Sequence, residues 1–219
     1  MTGVESTGLA AAMLLALVDW AAVARADARL ERWAKPAVMV ALLGAVVLSD
    51  PEASTRSLLL AAALGASLVG DILLLPPTRF TAGLVAFLLA HVAYIGAFLL
   101  GPLFAPPAVL GVLVALAVLA IPGRPILAGA TAAGMRWPVA IYFAAIVLMV
   151  ISATASGSPF TAIGAWLFVA SDARLGWGQF VTPHGRQAAA PAWHRLGVLV
   201  PYHAGQILLT TTILLQRAS

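Results

Sequence analysis

Cysteine is absent from the 219 residues, which removes disulfides, thiol nucleophiles and thiolate metal sites together. Charge is nearly as scarce. Charged residues make up 9% of the chain against 62% hydrophobic, and the mean hydropathy is +1.02. Soluble domains carry about 25% charged residues, so the chain lacks the polar surface to cover a water-soluble globule. The short alternating segments of a membrane β-barrel are missing too, since the apolar runs are continuous. Met1–Thr7 carries Glu5 and no basic residue, so a permanent first span is expected rather than a cleaved signal. No G-x-S-x-G elbow, H-E-x-x-H pair or phosphate-binding glycine loop occurs. A serine hydrolase and a zinc centre are therefore disfavoured, and neither metal nor cofactor is expected.

What remains is an all-α polytopic membrane protein of about eight transmembrane helices, read as a single domain over 1–219. Apolar runs of spanning length fall near 7–24, 35–50, 57–75, 80–104, 106–122, 138–156, 159–176 and 195–216. Pro36, Pro76-Pro77 and Pro138 read as helix punctuation. Residues 123–137 and 177–194 read as the longest linkers, and the second, with Trp177, His184, Trp193 and His194, as an interfacial segment. With the amino terminus outside, the inner loops hold Arg25, Arg29, Arg32, Lys35, Arg79, Arg124, Arg136, Arg186 and Arg195, against Arg56 and Arg217 outside. This bias places both termini on the non-cytoplasmic side, with the cell's inner membrane as the expected location. The net charge of +4 reflects these scattered loop arginines, not a phosphate-tracking stripe, so nucleic acid is not an expected partner.

Against that apolar background Asp71 stands out, in L-G-A-S-L-V-G-D-I-L-L-L beside Ala66, Ser67 and Gly70. A charge at membrane depth costs roughly 2.5–3.5 kcal/mol on insertion scales, so it is rarely idle. Asp172 repeats part of the pattern in L-F-V-A-S-D-A-R-L. A parallel duplication of four spans and chance similarity both fit so short a repeat. The span boundaries put both aspartates about five residues from an inner helix end. Tyr142, Tyr202, His203 and Gln206 fall at similar depth, with His91 deeper. Gly83, Phe87, His91, Tyr94 and Phe98 share one helical stripe, with packing the expected role of Phe87 and Phe98. Tyr202, Gln206 and Thr210 share another, from which His203 is turned about 100°. Asp19 is expected to pair with a loop arginine, and Arg174 to snorkel to the headgroups or bind a lipid phosphate.

The order and spacing of these residues resemble the YhhN-type lysoplasmalogenases, eight-span membrane proteins related to the eukaryotic alkenylglycerophospholipid hydrolases. The pieces that carry the resemblance are Lys35-Pro36, Ser67-Leu68-Val69-Gly70-Asp71, Phe80, Gly83, Phe87, His91 and Tyr94. Tyr142, Gly164-Ala165, Phe168, Ser171-Asp172, Tyr202 and Gln206 complete them. The resemblance implies hydrolysis of the vinyl-ether bond of a lysophospholipid held among membrane lipids, with Asp71 and Asp172 catalytic. Ser67, His91, Tyr94, Tyr142, Ser171, Tyr202, His203 and Gln206 are expected around the substrate, and Lys35 and Arg174 at its headgroup. Ala173-Arg174 and the short second span depart from the pattern. The chemistry suits two carboxyls: one protonates the alkenyl carbon, the other steadies the oxocarbenium ion and activates water, as in glycosidases. Two other readings stay open. Buried carboxylates also relay protons in transporters or lipid flippases, and a membrane scaffold uses them only to bond helices. An intramembrane aspartyl protease is weakened by Leu68, where G-x-G-D requires glycine.

Overall fold

The computed structural model describes residues 3–50, 52–182 and 191–216. The described residues form helices and no strands. In chain order these are α1 (Gly3–Ala24), α2 (Ala28–Ser49), α3 (Thr55–Leu73) and α4 (Phe80–Leu99). Next, α5 (Ala105–Val118) runs through a π-helical turn (Leu119–Gly123) into α6 (Arg124–Ala132). After it come α7 (Arg136–Ala155), α8 (Pro159–Phe180) and α9 (Ala192–Leu215). Counting α5–α6 as one rod gives eight rods among the described residues. Seven are long and apolar enough to cross a membrane, and the eighth, α8, carries Asp172 and Arg174. The protein is an all-α integral membrane protein.

Local chemistry sets the ends. The Asp27 carboxylate accepts from the Arg29 and Leu30 amides at 3.1 and 3.0 Å, and so starts α2 at Ala28. Ser54 and Ser158 cap α3 and α8 in the same way. Gly134 (φ +72°) and Gly157 (φ +74°) stop α6 and α7 in the left-handed conformation that glycine adopts without strain.

Two expected boundaries are corrected. The second span is not a short helix opening at Lys35. It begins two turns earlier, because Asp27 caps a charged stretch that hydropathy alone leaves out, and Pro36 lies inside it. Residues 123–137 are not a linker either. The helix runs on through Pro122 and Pro125 by way of a wider π turn at Leu119–Gly123. The continuous rod is 28 residues, about 42 Å at 1.5 Å per residue, longer than a bilayer core. In the expected linker 177–194, α8 runs on to Phe180 and α9 starts at Ala192, so Trp177, Trp193 and His194 are helical. His184 and Arg186 lie outside the described residues, as does Arg217.

α1 packs on α2 and α9, α3 on α4, α8 on α9 and α7, and α5 chiefly on α7. Phe87, Tyr94, Phe98 and Phe168 lie in the core that these contacts enclose, with Leu42, Leu60, Leu64 and Leu209. Leu14, Leu58, Leu89, Leu113, Ile121 and Leu148 face outward. In a bilayer such residues meet acyl chains, so their exposure costs nothing. At the end away from the candidate site Arg56 ties three helices, donating to the Ala97 carbonyl at 3.1 Å and to Gln216 Oε1 at 2.6 Å.

The α8–α9 contact depends on Gly205. A β-carbon there would meet the Gly164 carbonyl oxygen at 2.7 Å and the Phe168 nitrogen at 3.1 Å, both backbone atoms that cannot swing aside. Gly205→Ala is therefore expected to cost about 1–3 kcal/mol. Thermal unfolding in detergent checks this, and an unchanged Tm would refute the close packing.

Candidate active site

A cavity of ≈ 320 Å³ opens between the start of α2, the end of α3, the start of α4, the last turns of α8 and the start of α9. Its wall includes Lys35, Asp71, Phe87, Ser171, Asp172 and Tyr202, and its mouth carries Glu31, Arg32, Gln179, His194 and Arg195. Both aspartates face one space. Along their helices they lie at different distances from the end, where about five residues was expected for both: Asp71 is two residues from the end of α3 at Leu73, and Asp172 eight from the end of α8 at Phe180.

The two carboxylates have different partners. Asp71, 1% exposed, has Lys35 Nζ 3.2 Å from Oδ1 and accepts from the Tyr202 hydroxyl at 2.8 Å through Oδ2. Lys35, the chain's one lysine, reaches Asp71 because α2 begins early and holds it about two turns inside the helix. Its expected place at a helix opening, among lipid headgroups, is corrected accordingly. Asp172 accepts from the Tyr142 hydroxyl at 2.8 Å through Oδ2, and His91 Nε2 stands 3.3 Å from the same oxygen. His91 Nδ1 lies 2.6 Å from the Phe87 carbonyl, which can only accept, so Nδ1 carries a hydrogen. Nε2 makes no hydrogen bond among the described residues, and a proton on either group would bridge the 3.3 Å contact. Among the described residues no hydrogen bond joins Asp71 to Asp172.

Behind this wall lies a fully buried relay. Tyr94 donates to Gln206 Oε1, and the Gln206 amide donates to Ser67 Oγ at 2.9 Å. Phe168 stands edge-on to His91 and Tyr202, with ring centroids 4.8 and 5.5 Å away, and so braces both halves of the site. Gly70 leaves room for the Phe87 ring, which a β-carbon there would meet at 2.6 Å.

The site expected from sequence is thus largely assembled. Asp71, Asp172, Ser171, Tyr202 and Lys35 border the cavity. His91, Tyr142, Ser67, Tyr94 and Gln206 hold its wall from behind. Two expected residues stand elsewhere. His203 Nδ1 accepts from Trp20 Nε1 at 3.1 Å, outside the cavity lining. Arg174 is also outside it; the guanidinium donates to the His194 carbonyl at 3.4 Å and lies over the Trp193 ring, clasping α8 to α9. Asp19 pairs with no arginine among the described residues. It is 0% exposed on α1, and neither carboxylate oxygen has a hydrogen-bond partner among the described residues. Sequence reading missed the mouth residues Glu31, Arg32, Gln179 and Arg195, of which Glu31 and Arg195 form an ion pair. For Glu31 and Arg32 the signal was available in Asp27, a capping residue placed just before them.

Fold and site together define an integral-membrane helical bundle whose cavity is bordered by a buried and a partly buried aspartate beneath a charged mouth. The chain belongs to the YhhN family, whose sequence profile matches residues 30–213. It is 37% identical over 186 residues to the lysoplasmalogenases of Mycobacterium bovis and Mycobacterium tuberculosis, covering 80% of this chain and 67% of each relative. Over 156 residues it is 33% identical to human lysoplasmalogenase TMEM86B, covering 71% of this chain and 63% of that protein. No solved structure matches the chain.

Proposed function

We propose that the protein is a membrane hydrolase that cleaves the vinyl-ether bond of lysoplasmalogens, releasing a fatty aldehyde and a glycerophospho-base. The observation that carries this reading is a cavity bordered by two aspartates in unlike settings, one facing an ammonium and one 3.3 Å from an imidazole. The family's lysoplasmalogenase relatives support the choice of substrate.

In this mechanism the His91–Asp172 pair is the acid. Its proton goes to the alkenyl carbon one removed from the ether oxygen, and the adjacent carbon becomes an oxocarbenium ion. Asp71, its charge balanced by Lys35, steadies that cation and accepts a proton from the attacking water. The hemiacetal then breaks its carbon–oxygen bond to glycerol. The proton held by Asp71 returns to the leaving oxygen, and the hemiacetal hydroxyl proton restores the acid. One water is consumed and no proton is gained or lost. Tyr142 and Tyr202 fix the two carboxylates by their hydroxyl donors.

At the mouth, Arg32 and Arg195 suit a phosphate and Glu31 suits an amine, the charges of a zwitterionic headgroup. The positive-inside bias turns this mouth toward the cytoplasm of the inner membrane and puts both termini on the other side. The test is turnover of a purified lysoplasmalogen in D₂O. Aldehyde carrying one deuterium beside its carbonyl is expected by mass spectrometry. Absence of aldehyde, or aldehyde without that label, would defeat the proposal.

A further inference from the structure

Beyond Asp172 lies a second, smaller space of ≈ 30 Å³, bounded by α4, the α5–α6 rod, α7 and α8. Asp172 and Tyr142 supply its only polar side chains. The rest of its wall is aliphatic or aromatic, including Val118, Ile126, Val139 and Phe143. Phe80, Asp172 and Leu175 border both spaces, so the apolar slot and the polar cavity meet at Asp172.

We infer that this slot receives the hydrocarbon chain of the substrate, while the polar cavity receives its glycerophospho portion. The assignment builds on the hydrolysis proposed above and fixes the direction in which the lipid is held. In a lysoplasmalogen the scissile bond is the one junction between a charged, hydrogen-bonding half and a purely apolar half. A site that joins a charged cavity to an apolar slot at its proton donor matches that junction in order. The reverse placement would put a phosphate among Val139, Phe143 and Ile126 with no cation to meet it, at a heavy desolvation cost.

The slot as it stands has about the volume of one water molecule's share of liquid. A chain passes only where a wall yields, and the wall suited to yield is the α5–α6 rod. Gly111 and Ala115 are the buried residues of α5, and the π turn interrupts the regular ladder beside Val118. On this rod Ile126 and Ala130 belong to a small apolar cluster with Val139 and Phe143, while Val118 packs against the main core. Gly176 sets the width opposite: a β-carbon there would meet Ile126 Cγ2 at 3.3 Å.

The experiment uses the full chain in nanodiscs and a 1-O-alkyl lysophosphoethanolamine with a diazirine in its chain, a saturated ether that vinyl-ether protonation cannot cleave. Photolabel is expected on peptides bearing Val118, Ile126, Val139 or Phe143, and Gly176→Val is expected to lower that label at least fivefold. Label confined to outward residues such as Leu113, or spread over all lipid-facing helices, would overturn the slot. If Gly176→Val fails to fold, the wild-type map alone decides. Slot label without aldehyde release from the vinyl ether would leave the chain site standing and sink the hydrolase. Aldehyde release without slot label would do the opposite.

Discussion

Asp172→Asn is expected to lower kcat for aldehyde release by about 10²–10⁴-fold, the usual worth of a positioned general acid, while the protein stays folded. The geometry explains why the fold survives. With its oxygen at the Oδ2 position the asparagine still accepts from the Tyr142 hydroxyl, and His91 keeps the bond from Nδ1 to the Phe87 carbonyl. No hydrogen bond of the wild type is lost, yet the carboxyl that could pass a proton is gone. KM should change little, since asparagine keeps the size of Asp172 where it borders both spaces and the mouth charges stay in place. Substrate titrations beside a thermal melt in detergent check both halves. Full activity in this variant would remove Asp172 from the mechanism, and a collapsed Tm would make its role structural.

Lys35→Met should act in another way, on stability and activity together. It leaves the Asp71 carboxylate 1% exposed with the Tyr202 hydroxyl but no facing cation. Breaking a buried pair by removing one partner costs about 3–5 kcal/mol. The double variant Lys35→Met/Asp71→Asn removes the stranded charge and should regain much of that loss while remaining inactive. The measurements are melts of both single variants and the double one, combined as a cycle. A single variant as stable as wild type, or a double no better than Lys35→Met, would show that the ion pair contributes nothing.

These two variants separate two roles that residue type alone cannot. Two aspartates in apolar runs look equivalent in the chain, and the sharing of one proton between them is the natural first reading. The fold gives them different neighbours instead. Lys35 comes to Asp71 from α2, and His91 and Tyr142 come to Asp172 from α4 and α7. The proposed division into a charge-balanced base and a proton-sharing acid follows from those contacts.

Composition and hydropathy were enough to establish an all-helical membrane protein, because a chain with 9% charge has no soluble alternative. The cost of a buried carboxylate was enough to single out Asp71 and Asp172, and stripe spacing placed Tyr94, Tyr202 and Gln206 near them. These are local or additive quantities, readable one segment at a time. Lys35 at Asp71, Arg174 over Trp193, His203 against Trp20 and the unpartnered Asp19 were not readable in that way. Each depends on where a helix begins, how far it runs and which neighbour it meets. The Asp27 cap sets the depth of Lys35, and the π turn carries α6 to the slot beside Asp172. Contacts between helices distant in sequence carry no periodic signal, so only packing could bring the two aspartates to one cavity.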